Sequence, residues 1–126
     1  SLHDALPILR RRIKQYWLQQ GVTIVDPATT WIDAKVRIGA DTILFPFTML
    51  EGDTIVGERC RIGPFSHLCN ASVGSDSVVE RSYIHGKAFG PGTVIGPNAQ
   101  HGDGETVERC AWLFDAVDRA LSRGEE

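Results

Sequence analysis

Aliphatic residues recur every six positions through the central part of the chain. Seven follow one another without a slip, at Ile32, Ile38, Leu44, Leu50, Val56, Ile62 and Leu68. The series continues, with slips of one residue, through Val73, Val79, Ile84, Phe89 and Ile95. Small residues lie four positions after most of these, at Thr42, Thr48, Thr54, Cys60, Ser66, Ser72, Ser77, Ala88, Thr93 and Ala99. A sustained hexapeptide period of this kind predicts a parallel β-helix.

Each six-residue unit is expected to supply one short strand, whose aliphatic and small residues point inward by alternation. Three units make one triangular coil, and each coil is stable only against its neighbours. Glycine follows the aliphatic residue in six units, where we expect it to allow an unusual φ at a corner: Gly39, Gly57, Gly63, Gly74, Gly90 and Gly96. Buried positions are then Ile38, Leu44, Leu50, Val56, Ile62, Val73, Val79 and Ile95, with Arg37, Asp41, Arg61 and Glu80 exposed.

The two flanks of this region have a helical period instead. Toward the N-terminus, Leu9, Ile13, Tyr16 and Trp17 are spaced as on one helix face, and Gly21 follows where a helix commonly ends. Toward the C-terminus the hexapeptide period stops at Gly102-Asp103-Gly104. The helical period beyond it is carried by Val107, Cys110, Ala111, Phe114, Val117 and Leu121. We therefore predict a helix at each end of the β-helix.

Composition and charge argue against some classes of function. The formal net charge of −3 argues against non-specific binding to nucleic acid or an anionic membrane. No apolar run approaches the ~18 residues of a transmembrane helix. The basic run at residues 10–12 with Lys14 is interpreted as a solvated helix face. Three cysteines without a C-x-x-C pair indicate free thiols in a reducing cytoplasm, and Cys60 is expected to pack inward.

Histidines are the strongest candidates for chemistry. Leu68, Ile84 and His101 occupy equivalent positions three units apart, which brings His67, His85 and His101 near one edge of the prism. We interpret them as surface imidazoles and predict no metal site. The carboxylates Glu51, Asp53, Glu58 and Asp76 are interpreted as solvated, and the glycines between residues 86 and 92 as corners rather than a phosphate loop.

Several longer runs resemble one known family. These are LRRRIKQYW, GVTIVDPATTWID and IGADTILFPFTMLEGDTIVGERCRIGP, followed by the slip in LCNASVG and by VVERSYIHG. They resemble the linker helix and first coils of the bacterial bifunctional N-acetylglucosamine-1-phosphate uridyltransferase/glucosamine-1-phosphate acetyltransferases. The resemblance extends from Leu9 to Ala99. It implies a left-handed β-helix, although ordinary crossover chirality would favour the right-handed form.

The resemblance also implies a function for the parent protein. That function is the synthesis of UDP-N-acetylglucosamine for the cell envelope, by a cytoplasmic homotrimer that associates through its prism faces and uses acetyl-CoA and Mg²⁺. The family's general-base histidine and phosphate-binding cations lie on later coils, which begin with a motif like H-L-R-P-G. Here Gln100-His101-Gly102-Asp103-Gly104 lacks the Arg and Pro. The family's uridyltransferase residues lie on a nucleotide-binding domain that precedes the linker helix and is not represented here. Neither the acetyltransferase residues nor the uridyltransferase residues can therefore be transferred to this sequence, and the chain is expected to be inactive alone.

Under this interpretation the chain itself binds no cofactor, and sugar phosphate is a ligand only of the full-length parent. His85 and His101 are weak catalytic candidates, to be mutated first if activity appears, and no cofactor-binding residue is predicted. Two alternatives stay open. The chain could be a stand-alone hexapeptide acyltransferase for another acceptor, or a non-catalytic scaffold for trimer formation.

The resemblance sets the predicted boundaries. Residues 1–8, SLHDALPI, are unlike the family and are expected to be a non-native leader, on a chain that is a fragment of a longer gene. The linker helix is predicted at 9–21 and the left-handed β-helix at 22–101. A divergent tail at 102–126 contains the predicted C-terminal helix at 106–123.

Overall fold

The structure, a computed structural model, describes residues 2–102 and the side chains from Ala5 onward. It begins with helix α1 (Leu2–Gln19). This confirms the N-terminal helix, which starts seven residues earlier than expected and includes Pro7. The helix ends in the way the sequence predicts, because Gly21 has a φ of 88° and Val22 N–H donates to Trp17 O at 3.0 Å.

Between residues 23 and 101, fourteen short strands follow and form three parallel sheets. The first sheet contains β1 (Thr23–Ile24), β4 (Ile43–Leu44), β7 (Arg61–Ile62), β10 (Val78–Val79) and β13 (Val94–Ile95). The second contains β2 (Thr30–Ile32), β5 (Thr48–Glu51), β8 (Ser66–Cys69), β11 (Tyr83–His85) and β14 (Gln100–His101). The third contains β3 (Arg37–Ile38), β6 (Ile55–Val56), β9 (Ser72–Val73) and β12 (Ala88–Phe89). A 3₁₀ turn, η1 (Pro27–Thr29), precedes β2.

Each coil contributes one strand to each sheet, so the chain is a left-handed parallel β-helix, as predicted. The one-residue slips leave the stacking intact. Ile43 pairs with Arg61, Arg61 with Val78, and Val78 with Val94, so successive coils shorten by one residue and stay in register. The shortening is absorbed at the corners, which keeps the periodic residues Leu44, Ile62, Val79 and Ile95 buried.

The core consists of the inward residues that the period predicts. All eight predicted positions are buried: Ile38, Leu44, Leu50, Val56, Ile62, Val73, Val79 and Ile95. Arg37, Asp41, Arg61 and Glu80 are exposed, also as predicted. Trp17 of α1 closes one end of this core and is buried with Val22 and Ile24.

The slips do change which small residues point inward. Ser72 was expected inside, but Ala71 is the buried residue and Ser72 is half-buried. Ala88 was also expected inside and is exposed. At two of the slips the inward small residue lies two positions before the next aliphatic residue, as Ala71 does before Val73 and Ser82 before Ile84, whereas the corresponding residue before Phe89 is the exposed Lys87. Counting forward across a slip gives the wrong residue.

Buried hydroxyls satisfy the backbone at the corners. Thr54 Oγ1–H donates to Glu51 O at 2.7 Å, and its oxygen accepts from Ala71 N–H of the next coil at 3.3 Å. Thr42 likewise donates to Gly57 O and accepts from the backbone N–H of Cys60. The buried hydroxyls therefore satisfy polar backbone groups that would otherwise be costly to enclose.

The glycines after the aliphatic residues have a different role from the one expected at Gly39, Gly57 and Gly74. Their φ angles are not positive, but a Cβ on Gly57 would lie 2.4 Å from the backbone nitrogen of Ser75 in the next coil. These glycines allow close approach of two backbones. Gly63 and Gly96 do have the positive φ that was predicted, at 102° and 108°. Positive φ also occurs at non-glycine corner residues: Asp41, Arg59 and Asp76 at one corner, and Phe47, Phe65, Arg81 and Asn98 at another.

Two expectations concern the ends of the chain. The helix predicted at 106–123 lies outside the described residues, as does almost all of the divergent tail. The backbone of residues 2–8 continues α1, and the assignment of residues 1–8 to a non-native leader stays a prediction.

Candidate functional site

Two of the candidate histidines, His67 and His85, lie on the outward side of the second sheet, here called the histidine face. Two outward ladders cross it, because residues alternate along each strand. The first ladder is Trp31, Met49, His67, Tyr83 and Gln100. The second includes Glu51, Cys69 and His85. The face therefore collects polar and aromatic side chains from all five strands of the sheet.

Three rings on this face are in contact. His67 and Tyr83 meet edge to face, with centroids 4.8 Å apart. The rings of Tyr83 and His85 are nearly parallel, with centroids 6.4 Å apart. His85 is buried, at 4% exposure, so the expectation that it is a surface imidazole is wrong.

Glu51 is hydrogen-bonded to His67, between Oε1 and Nε2. The expectation of a solvated Glu51 is wrong, because only 1% of this residue is exposed. A buried carboxylate is stable only with a partner, and His67 supplies it. The strand register brings the pair together, since Leu50 pairs with Leu68 and places Glu51 diagonal to His67. Such a pair can orient the imidazole and hold a proton.

The two catalytic candidates do not come together. His101 pairs with Ile84, which is fully buried, so the His101 ring belongs to the inward side of the sheet. Its ring contacts Phe89 edge to face, with centroids 5.2 Å apart. His85 is the next residue along β11 after Ile84 and belongs to the outward side. The sheet separates them, and they cannot act on one reacting group.

An open cleft of about 440 Å³ lies beside the histidine face. Phe47 and Phe65 stack at its edge with centroids 4.9 Å apart and planes 3° from parallel. The Arg81 guanidinium lies 6.0 Å from the Phe65 ring centroid. His67 and Tyr83 also line the cleft, so it offers aromatic surface and the Arg81 cation.

The metal-ligating residue types and the cysteines complete the candidate chemistry of the described residues. Within residues 2–102, no three His, Cys, Asp or Glu side chains are grouped so that they could hold a metal ion. Cys60 and Cys69 are both buried. Cys60 Sγ is 3.2 Å from Gly74 O, in the packing position predicted for it. Cys110 lies outside the described residues.

The sequence matches a family model and a set of curated relatives. The model "Bacterial transferase hexapeptide (six repeats)" matches residues 35–70. A "Bifunctional protein GlmU" of Heliobacterium modesticaldum is 33% identical over 118 residues, 94% of this chain and 26% of the relative. The GlmU of a Geobacillus species is 42% identical over 99 residues, 79% of this chain and 22% of the relative. That of Bifidobacterium longum subsp. infantis is 45% identical over 87 residues, 69% of this chain and 19% of the relative.

Over its hexapeptide region, the chain belongs to the GlmU family. It spans about a quarter of the length of the relatives it matches, or less. Among solved structures, a perosamine N-acetyltransferase of Caulobacter crescentus is 16% identical, with 72% of this chain and 59% of that chain covered. Its TM-score of 0.24 is too low to support a structural argument.

No helix among the described residues has the length and apolarity needed to cross a bilayer.

The Glu51–His67 pair is the feature that sequence reasoning missed. The repeat contained a signal for it, because residues 50 and 68 are equivalent, and their neighbours 51 and 67 are therefore diagonal on the same face. The burial of Glu51 is not encoded in the period, which places Glu51 only on the outward side.

Proposed function

We propose that this chain provides the linker helix and the first coils of a GlmU-type β-helix, that these coils organise a trimer, and that the chain is inactive alone. In the parent, the β-helix would transfer acetyl from acetyl-CoA to glucosamine-1-phosphate. A separate nucleotide-binding domain would then transfer uridyl to N-acetylglucosamine-1-phosphate. The product, UDP-N-acetylglucosamine, would supply the cell envelope from the cytoplasm.

One observation carries the proposal. The identity of 42% with the Geobacillus relative runs over 99 residues, so it extends beyond the repeat itself. The repeat alone would not distinguish one hexapeptide protein from another. The match to the Heliobacterium protein covers 94% of the chain, so it includes most of α1 as well as the coils. This supports the assignment of α1 as the linker helix.

The geometry of the histidines supports inactivity. His85 and His101 belong to opposite sides of the second sheet, and His67 is engaged by the carboxylate of Glu51. Proton transfer by a positioned base contributes roughly 10²–10⁴-fold to a rate, and it requires that base within hydrogen-bond reach of the substrate. Among the described residues, no three His, Cys, Asp or Glu side chains are grouped so that they could hold a metal ion.

The activity test is thiol release from acetyl-CoA. With glucosamine-1-phosphate present, the purified chain should release no more thiol than a buffer blank, whereas the full-length Geobacillus GlmU serves as the positive control. Thiol release that depends on the sugar phosphate and is lost in His85→Ala or His101→Ala would contradict the proposal.

The trimer test is the mass in solution. The exposed outward faces of the prism, including Ile55 and Val94, are available for association, at 50% and 75% exposure. Sedimentation equilibrium should give three times the chain mass of 13.8 kDa. A monomer at every concentration up to the solubility limit would exclude trimer formation by this part of the chain.

A further inference from the structure

A groove of about 410 Å³ lies between α1 and the 3₁₀ turn η1. Arg10, Arg11 and Lys14 of α1 line it, and Pro27 lies opposite them. The groove therefore has an apolar wall and three cations that lie on one side of a single helix. None of its lining residues belongs to the Glu51–His67 pair or to the cleft beside the histidine face.

Two of the three cations are held in place by contacts with the β-helix. The Arg10 guanidinium lies 4.7 Å from the centroid of the Trp31 ring. The Lys14 ammonium donates a hydrogen bond to the carbonyl oxygen of Pro27. Both residues are half-buried, so the basic run is not the freely solvated helix face that the sequence indicated. Arg11 and Arg12 are exposed and do fit that description.

Among the described side chains, none forms an ion pair that would neutralise the positive charge of the groove. Arg10 and Lys14 are four positions apart on a helix, a spacing at which like charges repel. Burial, and then the charge of Arg10, lower the pKa of Lys14, while Asp26 opposes the shift. The Asp26 carboxylate is already engaged, because it accepts hydrogen bonds from Ala28 N–H and from the Thr29 hydroxyl.

One hydrogen-bond donor of these cations, the Nε–H of Arg10, is also unsatisfied among the described residues. Within residues 5–102, none of the three cations forms an ion pair. The Nε–H of Arg10 is buried and has no hydrogen-bond partner in that part of the chain. A buried donor without a partner is unfavourable, so an anion that supplies an acceptor to Arg10 would remove that penalty.

We propose that this cationic groove binds a small anion that carries two linked phosphate groups, such as a diphosphate. Arginine presents a planar fork of donors that matches phosphate oxygens, and lysine adds a point charge. One phosphate would meet Arg10 and Lys14, and the other would reach the exposed Arg11. The site is independent of the acetyl transfer proposed for the parent and does not rest on it.

The test is calorimetric titration of the full chain with inorganic pyrophosphate at low ionic strength. We expect saturable binding with one site per chain, weakened as salt is added because the contacts are ionic. Arg11→Gln and Lys14→Gln should each weaken binding by about tenfold or more, the loss expected for a charge-assisted hydrogen bond. The matched control is Arg12→Gln, because Arg12 is the next residue on α1 and lines a different groove.

Three outcomes would overturn the proposal. They are the absence of saturable binding, equal weakening in Arg11→Gln and Arg12→Gln, and tighter binding of a single-stranded RNA to which all four basic residues contribute equally. Lys14→Gln also loses the hydrogen bond to Pro27 O, so its thermal unfolding is measured first. Arg11 is exposed and its substitution keeps the test valid if Lys14→Gln does not fold. A parallel titration with uridine diphosphate measures whether a nucleoside adds affinity to the phosphates.

Discussion

Replacing Gly57 by alanine should destabilise the β-helix strongly, because the added methyl has no space. A Cβ on Gly57 would lie 2.4 Å from Ser75 N and 2.8 Å from both Gly74 C and Ser75 Cα. These are backbone atoms of the next coil, so no side chain can rotate away. Relieving the contact requires the two coils to separate by about 1 Å at this corner, since ordinary carbon contacts are about 3.5 Å or longer.

That separation breaks two hydrogen bonds that flank the contact. Glu58 N–H donates to Ser75 Oγ at 3.0 Å, and Asp76 N–H donates to Glu58 O at 2.9 Å. Each bond contributes about 1 kcal/mol, and overpacking itself costs about 1–3 kcal/mol. The free energy of unfolding of Gly57→Ala should therefore fall by about 3 kcal/mol or more.

Gly90 offers a matched control in the same column of the repeat. It follows Phe89 of β12 as Gly57 follows Val56 of β6, but a Cβ there would meet no atom within 4 Å. Its φ is not positive, so Gly90→Ala should be neutral or stabilising by up to about 1 kcal/mol. Urea unfolding followed by far-ultraviolet circular dichroism measures both. Equal losses in the two variants would refute close coil approach as the reason for glycine at position 57.

Two further changes test the core and the surface. Ile62→Asp should lower the free energy of unfolding by several kcal/mol, because it places an unpaired charge at a position with 0% exposure. An unchanged urea unfolding curve would contradict the inward assignment. The Asp76 pKa lies below 3.8 because Arg59 donates hydrogen bonds to its carboxylate. This pair therefore stabilises the fold above pH 3.8 and loses its effect as the pH falls through the lower folded-state pKa. The difference in unfolding free energy between wild type and Asp76→Asn should shrink below pH 3.8, and a difference independent of pH would count against the pair.

Much of the fold is predictable because a solenoid repeats one local rule. The six-residue spacing alone gives the inward set, including Ile62 and Ile95, since every unit meets the same environment in the neighbouring coil. The slips are predictable from the aliphatic positions too. The small inward residues at the slips are harder, because Ala71 rather than Ser72 becomes inward only when the count runs back from the next aliphatic residue.

The candidate site was less predictable, for two physical reasons. The equivalence of Leu68, Ile84 and His101 is confirmed by the strand register, and alternation then places His85 and His101 on opposite sides, so this signal was present in the sequence. The burial of Glu51 was not, because a period shows which side of a strand a residue faces and not what covers that side.

The basic groove between α1 and η1 was not predictable from the sequence either. The cations are adjacent in sequence, but Pro27 and Trp31, which position Lys14 and Arg10, are brought there only by the docking of α1 on the first coil. No spacing rule along α1 could have indicated that contact.

The central claim is that these coils are a structural part of a GlmU acetyltransferase. It is tested most directly by a chimera in which residues 9–99 replace the aligned segment of the Geobacillus GlmU, 42% identical. The measurement is acetyl-CoA-dependent acetylation of glucosamine-1-phosphate by the purified trimer. The account predicts activity within about tenfold of the parent, because these residues would carry structure rather than chemistry, and loss of assembly when Gly57→Ala is added. A chimera that folds and trimerises but does not acetylate the sugar phosphate would contradict it.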